Sequence, residues 1–336
     1  MGIKDTKLWK YLRKKKYDRI KHQHYLNVQK MNTHDYEQYL KDRYVEFMSR
    51  KEYTKGKILS FDNPQTFTEK SQWIKLYDQD PRKPQLADKY RVRDFIKRTI
   101  GEEYLIPIIS IDGVDHFENA NDIDFEKLPN KFVLKCNHGS HMNIIIEDKT
   151  RLTKKDIKGI RKKLNNWLNV KYAYVVSLET QYLGIKPCIY IEEYFETKGP
   201  LRDYKFLCFN GHCHYFWINE DVVDDKKETC TTFCEDLSVA PFNMNLGFRK
   251  NISNMELPKN IKTMLEIANK LANDFVFVRV DLYNLDGKIY FGEMTFNSAA
   301  GYDVPYPGEY DLELGKLMKI DLSKRDNNFT YRKQWK

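Results

Sequence analysis

A chain of 336 residues, 31% charged and 41% apolar, with a mean hydropathy of −0.70, can bury a substantial core and is expected to divide into two or three structural units. No apolar run approaches the ~20 residues that a bilayer-spanning helix needs, and Met1–Lys21 lacks the apolar stretch of a secretory signal. Six cysteines without the spacing of a disulfide framework fit a reduced, cytoplasmic setting.

The net charge of +9 gathers at the start, where Lys4, Lys7, Lys10, Arg13, Lys14, Lys15, Lys16, Arg19 and Lys21 face only Asp5 and Asp18. Leu8, Trp9, Tyr11, Leu12, Tyr17 and Ile20 interleave them. A basic helix of this kind suits the inner face of an anionic membrane or an anionic polymer. Nucleic acid is not expected as a partner, because no nucleic-acid module accompanies the charge. Residues 1–60 are therefore read as a basic helical appendage, ending near Asn63-Pro64, a turn signal.

Residues 61–130 are read as a helical and strand region, with one helix opening at Thr68-Glu69-Lys70-Ser71 and a second running from about Gln85 to Ile100. Tyr104–Ile109 reads as an edge strand because it contains Pro107. Residues 131–190 form the next unit: strands at Lys131–Cys136 and Asn143–Glu147, joined by Asn137-His138-Gly139-Ser140-His141-Met142, then an amphipathic helix from Lys154 to about Asn169.

Residues 191–320 form the last large unit, before a basic tail, 321–336, with Lys324, Arg325, Arg332, Lys333 and Lys336. The strand Cys188–Phe195 enters this unit, ending in Glu192-Glu193. A hairpin across Asn210-Gly211 follows, then a helix from Pro258 to Ala272, a closing hairpin and a short helix near Asp311–Ile320. The closing hairpin runs Phe277–Tyr283, turns at Asp286-Gly287 and returns through Lys288–Thr295. Residues two apart on a strand share a face, so Arg279 and Asp281 point the same way, and the turn brings back Glu293. Two carboxylates beside one arginine suit a divalent metal holding a polyphosphate. Hairpins alternating with single helices indicate an α+β fold of mostly antiparallel sheet.

In order, Thr66-Phe67-Thr68-Glu69-Lys70, Leu86-Ala87-Asp88-Lys89-Tyr90, Lys131 to Ser140, Asp203-Tyr204-Lys205-Phe206 and Val280-Asp281-Leu282-Tyr283 resemble the TupA-like ATP-grasp family, associated with teichuronopeptide and surface-polysaccharide biosynthesis. The resemblance runs from about Phe67 to Ile320. It implies two α+β lobes clamping ATP, a lid lobe at 131–190 and a C-terminal lobe at 191–320 that carries the metal site. Lys135 would reach the phosphates, with His138, Gly139 and Ser140 in the loop folding over them. Glu192 would take the adenine amino group, and backbone groups of Glu193 and Phe195 the base edge. Asp203 would hold the ribose, and Lys205 would be the second phosphate-binding cation, serving in catalysis with Arg279. Asp281 and Glu293 would bind Mg²⁺, with Asn297 as third ligand in place of the usual asparagine, a position held here by Thr295. His141 stands where a second glycine is common.

The expected activity is ADP-forming ligation of a carboxylate to an amine through an acyl-phosphate. A uronic-acid-containing saccharide and an amino acid or peptide are the partners the family implies. The alternatives are a glycosyltransferase, for which Asp122-Ile123-Asp124 supplies a carboxylate-x-carboxylate string, and a catalytically silent nucleotide-binding protein. A rival zinc site on His212, His214, Cys230 and Cys234 lacks the spacing of a zinc knuckle.

Overall fold

The computed structural model of the chain describes residues 26–28, 30–31, 33–50, 54–176, 178–196, 202–220, 229–244 and 256–325. The basic segment before Lys21 and the tail cations Arg332, Lys333 and Lys336 lie outside the described residues. The helices are α1 (Thr33–Met48), α2 (Phe67–Tyr77), α3 (Lys83–Ala87), α4 (Val92–Thr99), α5 (Lys154–Leu168), α6 (Ile261–Ala272) and α7 (Tyr310–Leu317). The strands are β1 (His116–Phe117), β2 (Phe132–Cys136), β3 (Asn143–Ile146), β4 (Ile189–Glu193), β5 (Arg202–Phe209), β6 (His212–Glu220), β7 (Thr229–Cys234), β8 (Phe277–Leu285) and β9 (Lys288–Thr295). No helix among the described residues is long and apolar enough to cross a membrane.

Two antiparallel sheets carry the α+β fold, one in the order β1-β4-β2-β3 and one in the order β7-β6-β5-β8-β9. In the first, the alternation of β2 sends Phe132, Leu134 and Cys136 into a core with Ile189, Ile191 and Leu164 of α5. Val133 and Lys135 take the other face. α5 begins at a capping box, Thr153 with Asp156, which satisfies two amide donors that the first turn would otherwise leave open.

The second sheet has two unlike faces. Tyr204, Phe206, Cys208, Val278, Val280, Leu282 and Met294 pack under Met264, Ala268 and Leu271 of α6. On the opposite face Leu207, Phe209, Trp217 and Phe277 pack against α1 and α2. Farther along that same face the residues turn charged, and the site begins there.

Four local outcomes differ from the sequence reading. α1, expected within an appendage, buries Tyr36, Leu40, Tyr44 and Met48 in the same core as α2 and Tyr302. The helix expected from Gln85 to Ile100 is broken at Asp88, whose Oδ1 accepts the amides of Tyr90 and Arg91, both at 2.9 Å. This is how a short polar side chain competes with a helix. The edge strand expected at Tyr104–Ile109 shrinks to a bridge between Ile108 and Glu192 after a turn at Glu102–Tyr104. β7, a run of small polar and β-branched residues, was not foreseen.

Candidate active site

The charged face is assembled by register. Lys205 of β5 lies opposite Asp281 of β8, and Asp203 opposite Tyr283. Asp281 in turn lies opposite Glu293 of β9, and Arg279 opposite Thr295. The last pairing depends on an irregularity. From the Asp286-Gly287 turn, where both residues have positive φ, the hairpin zips regularly to Leu282 opposite Phe291. Regular pairing would then place Glu293 opposite Val280, on the face buried under α6. The register instead shifts, leaving Gly292 as an extra residue and turning Glu293 toward Asp281. A Cβ on Gly292 would stand 3.0 Å from the Asp281 carbonyl, so a residue without a side chain suits this approach.

Arg279 holds Asp281 through two hydrogen bonds of 2.7 Å and donates to Glu293 at 3.0 Å and to Ser298 Oγ at 2.9 Å. Lys205 meets Asp281 at 2.9 Å and also contacts Asp203. Glu293 is further paired with Lys89. Desolvation raises the Glu293 carboxyl, but Lys89 and Arg279 outweigh it and hold the group well below the usual carboxylate range. Desolvation pulls the Lys205 ammonium down, yet Asp281 and Asp203 more than offset this and it stays firmly charged. Burial pushes Asp203 up to about 6, with Asp281 adding to the shift and Lys205 opposing it.

The first sheet carries further charged groups. Lys135 pairs with Glu192 at 2.5 Å, and Arg93 approaches the same carboxylate at 3.7 Å. The Glu192 side chain is therefore engaged by cations. Burial raises the pKa of the Tyr283 phenol, and Asp203, Glu293, Asp281 and Glu192 all add to the shift. Carboxylates of both sheets therefore lie within electrostatic range of one phenol. Tyr172 hydrogen-bonds Ser140 of the lid loop and feels the charges of Glu179 and Glu293. Gly139 allows this approach, since a Cβ there would meet the Tyr172 ring at 2.6 Å.

The other expected site residues are placed as follows. His138 turns inward, buried, with Nε2 at 3.0 Å from the Trp167 carbonyl, so it anchors the loop to α5 and offers the cleft no side chain. The Glu193 amide donates to Pro107 O at 3.1 Å and is not available to read a base. Phe195 packs against Tyr290 with ring centroids 4.8 Å apart. The strand expected to carry Asn297 ends at Thr295; Asn297 is buried and donates to Gln181 at 2.9 Å, and its Oδ1 has no partner. Thr295 donates to Glu293 at 3.0 Å. Asp124 caps a short turn through the Glu126 amide at 3.0 Å, and Ile123 between the two aspartates is fully buried. Asp122-Ile123-Asp124 therefore lies between two short turns, Ala120–Asp122 and Phe125–Lys127, and not at the end of a strand.

His141 adopts φ +57, a conformation that costs a non-glycine residue about 1–2 kcal/mol. His141→Gly is expected to leave nucleotide binding intact and to raise stability by about 1 kcal/mol, read from urea denaturation.

Lys89, Lys75 and Glu179 were assigned no role from sequence. Lys89 lay in the quoted Leu86–Tyr90 run, but a continuous helix would have hidden it; the break at Asp88 delivers it to Glu293. Asp88 is fixed by Asn137 at 2.8 Å, and the Asn137 carbonyl accepts the Lys89 amide at 3.0 Å. Lys75 is buried and donates to the Ala300 carbonyl at 2.6 Å, holding the Ser298–Gly301 turn, where Ala299 and Ala300 both have positive φ. Burial pulls Lys75 down and pushes its neighbour Glu179 up.

The TupA-like ATPgrasp family model matches residues 69–319. The chain belongs to this family. No curated protein matches it significantly. Among solved structures it is similar to D-alanine–D-alanine ligase from Bacillus anthracis, with 16% identity over 74% of this chain and 71% of that one and a TM-score of 0.36. It is also similar to L-amino acid ligase from Bacillus licheniformis, with 12% identity over 71% of this chain and 51% of that one and a TM-score of 0.40. A third is the ATP-grasp ligase PsnB complexed with minimal precursor, Mg and ADP, with 12% identity, 74% and 65% coverage and a TM-score of 0.38.

An ATP-grasp fold implies a divalent metal, and the residues present fit one. Asp281 and Glu293 offer hard oxygen donors from adjacent strands, which suits Mg²⁺ better than a softer ion. Nearby, Asp203 keeps a buried Oδ1 with no partner.

Proposed function

We propose that this ATP-grasp protein is an ADP-forming carboxylate–amine ligase. The observation that supports this reading is the self-neutralised cleft. Among the described residues, Lys89, Lys135, Lys205 and Arg279 pair with Glu293, Glu192, Asp203 and Asp281. A metal-chelated polyphosphate matches both halves of this set: its cation takes carboxylates and its anion takes ammonium and guanidinium groups. When bound, Mg²⁺ would sit on Asp281 and Glu293 and neutralise phosphate charge. Lys135 and Lys205 would orient the phosphates. Arg279 would stabilise charge on the transferring phosphoryl group, a positioning and electrostatic role with no proton transfer. A substrate carboxylate attacks the γ-phosphorus and ADP leaves. The amine then attacks the acyl carbon, phosphate leaves, and the amine gives up a proton.

The family points to a uronic-acid-containing saccharide as the acid and an amino acid or peptide as the amine, acting in surface-polysaccharide assembly in the cytoplasm. A screen of amino acids with a uronic-acid acceptor, read by phosphate release and product mass, tests this. Phosphate release that needs both acid and amine, with an amide-sized mass gain, supports it; ATP turnover indifferent to both would reject it.

Asp203 supplies a pH signature. Ribose hydroxyls donate to a carboxylate, so protonation weakens the contact. The Kd for ATP is expected to rise as pH falls through about 6, and Asp203→Asn is expected to abolish that inflection. Calorimetric titrations between pH 5 and 8 would read it; an inflection that persists in the variant belongs to another group.

A further inference from the structure

The far end of the same sheet carries a second cluster that the nucleotide cleft does not use. β6 starts at His212, directly after the Asn210-Gly211 turn. Phe209 pairs with His212 and Cys208 with Cys213, but Leu207 pairs with Tyr215, so His214 is an extra residue in the ladder. Cys213 goes into the core under α6. The bulge re-aims its neighbour: the His214 ring lies 6.1 Å from Phe209 and 4.7 Å from His212, nearly perpendicular to the latter at 80°. On the other side, the Glu235 amide donates to the His214 carbonyl at 3.1 Å, which holds the residue following β7 beside the bulge. The Glu235 carboxylate contacts His212 Nε2.

We propose that His212, His214 and Glu235 bind a zinc-class divalent cation that clips the β5–β6 hairpin to the end of β7. One ligand atom from each residue lies within 4.8 Å of the other two. Ligands of a tetrahedral zinc, each about 2.1 Å from the metal, stand roughly 3.4 Å apart. Small side-chain rotations close that difference. Two imidazoles and one carboxylate select a late first-row ion over Mg²⁺, and three protein ligands leave one position for water. His212 and Glu235 keep about half their side chains exposed, at 51% and 50%, so an ion can enter. This set differs from the cysteine-containing one that the sequence reading weighed as a rival. Cys230 is buried with Sγ 3.3 Å from Asn243 Oδ1, and Cys234 lies opposite Tyr215, so neither joins the cluster.

The test is zinc binding by the full-length chain in competition with a chromophoric chelator, in excess Mg²⁺ so that the carboxylate cleft is filled. One zinc per chain is expected, weakened more than tenfold by His212→Ala or His214→Ala and unchanged by Cys230→Ser or Cys234→Ser. Zinc should also raise the thermal midpoint of the parent but not of His214→Ala. Co²⁺ in place of zinc should give weak ligand-field bands without the intense thiolate charge-transfer band. Absence of zinc binding, retention by both histidine variants, or a thiolate band would overturn the assignment. The histidine variants stand apart from the ATP-binding machinery, so Mg²⁺–ATP affinity is expected to be unchanged and serves as the control for folding.

Discussion

Glu293→Gln is expected to lower ADP formation about a thousandfold, the scale of losing one preorganised charge in a site that stabilises transferring phosphate. Glutamine keeps the size of the side chain and can still accept from Arg279, which reaches Glu293 at 3.0 Å. What it loses is the negative charge that Lys89 and Arg279 hold ionised, and with it one hard donor for the metal. Lys89 and Arg279 then lack part of their counter-charge, so some loss of stability accompanies the change. A coupled assay for ADP, read beside the thermal midpoint, separates the two effects. A variant that stays folded and turns over at the parent rate would remove Glu293 from the site.

Asp311→Ala is expected to cost about 3–5 kcal/mol, a large part of the roughly 5–15 kcal/mol that stabilises a domain. Asp311 is fully buried and pairs with Lys57 at 2.7 Å. It also accepts the Thr68 amide at 2.9 Å and the Thr68 hydroxyl at 2.8 Å, and Tyr44 of α1 hydrogen-bonds that same hydroxyl at 2.8 Å. One carboxylate therefore ties α7 to the start of α2, and through Thr68 to α1. Alanine would leave an ammonium and an amide without a partner. By contrast, Glu46→Ala removes an exposed pair with Arg43 and Arg50 and should cost less than about 1 kcal/mol. Urea denaturation of both variants makes the comparison. Equal midpoints would show that α1 docks by apolar contact alone.

Most of the fold was legible because its signals are local. Asp286-Gly287 and Asn210-Gly211 marked the two hairpins, and the apolar spacing of Ile261, Met264, Ala268 and Leu271 marked a helix. The docking of α1 was not legible, because its buried tyrosines, Tyr36 and Tyr44, look the same on a solvated helix until a partner surface exists. Of the site, the alternation of Arg279 and Asp281 could be read directly, while Lys135 and Lys205 were marked by the family resemblance. Glu293 was expected back beside Arg279 and Asp281, but the bulge that delivers it and its partner Lys89 were not. Glu293 reaches Asp281 only because Gly292 interrupts the pairing, and nothing local distinguishes a bulge glycine from an ordinary strand glycine. Lys89 arrives through a helix break made by Asp88, whose competing hydrogen bonds depend on Asn137, 49 positions away. His138 was read as part of the loop folding over the phosphates; that its side chain packs against the end of α5 was not legible.

The central claim is that one cleft holds a polyphosphate and its metal together. Titrating ATP against the full-length chain by calorimetry, once with Mg²⁺ and once with EDTA, tests it most directly. One nucleotide per chain, bound at least tenfold more tightly with Mg²⁺, is the predicted result. Equal affinity in EDTA, or no binding under either condition, would contradict it.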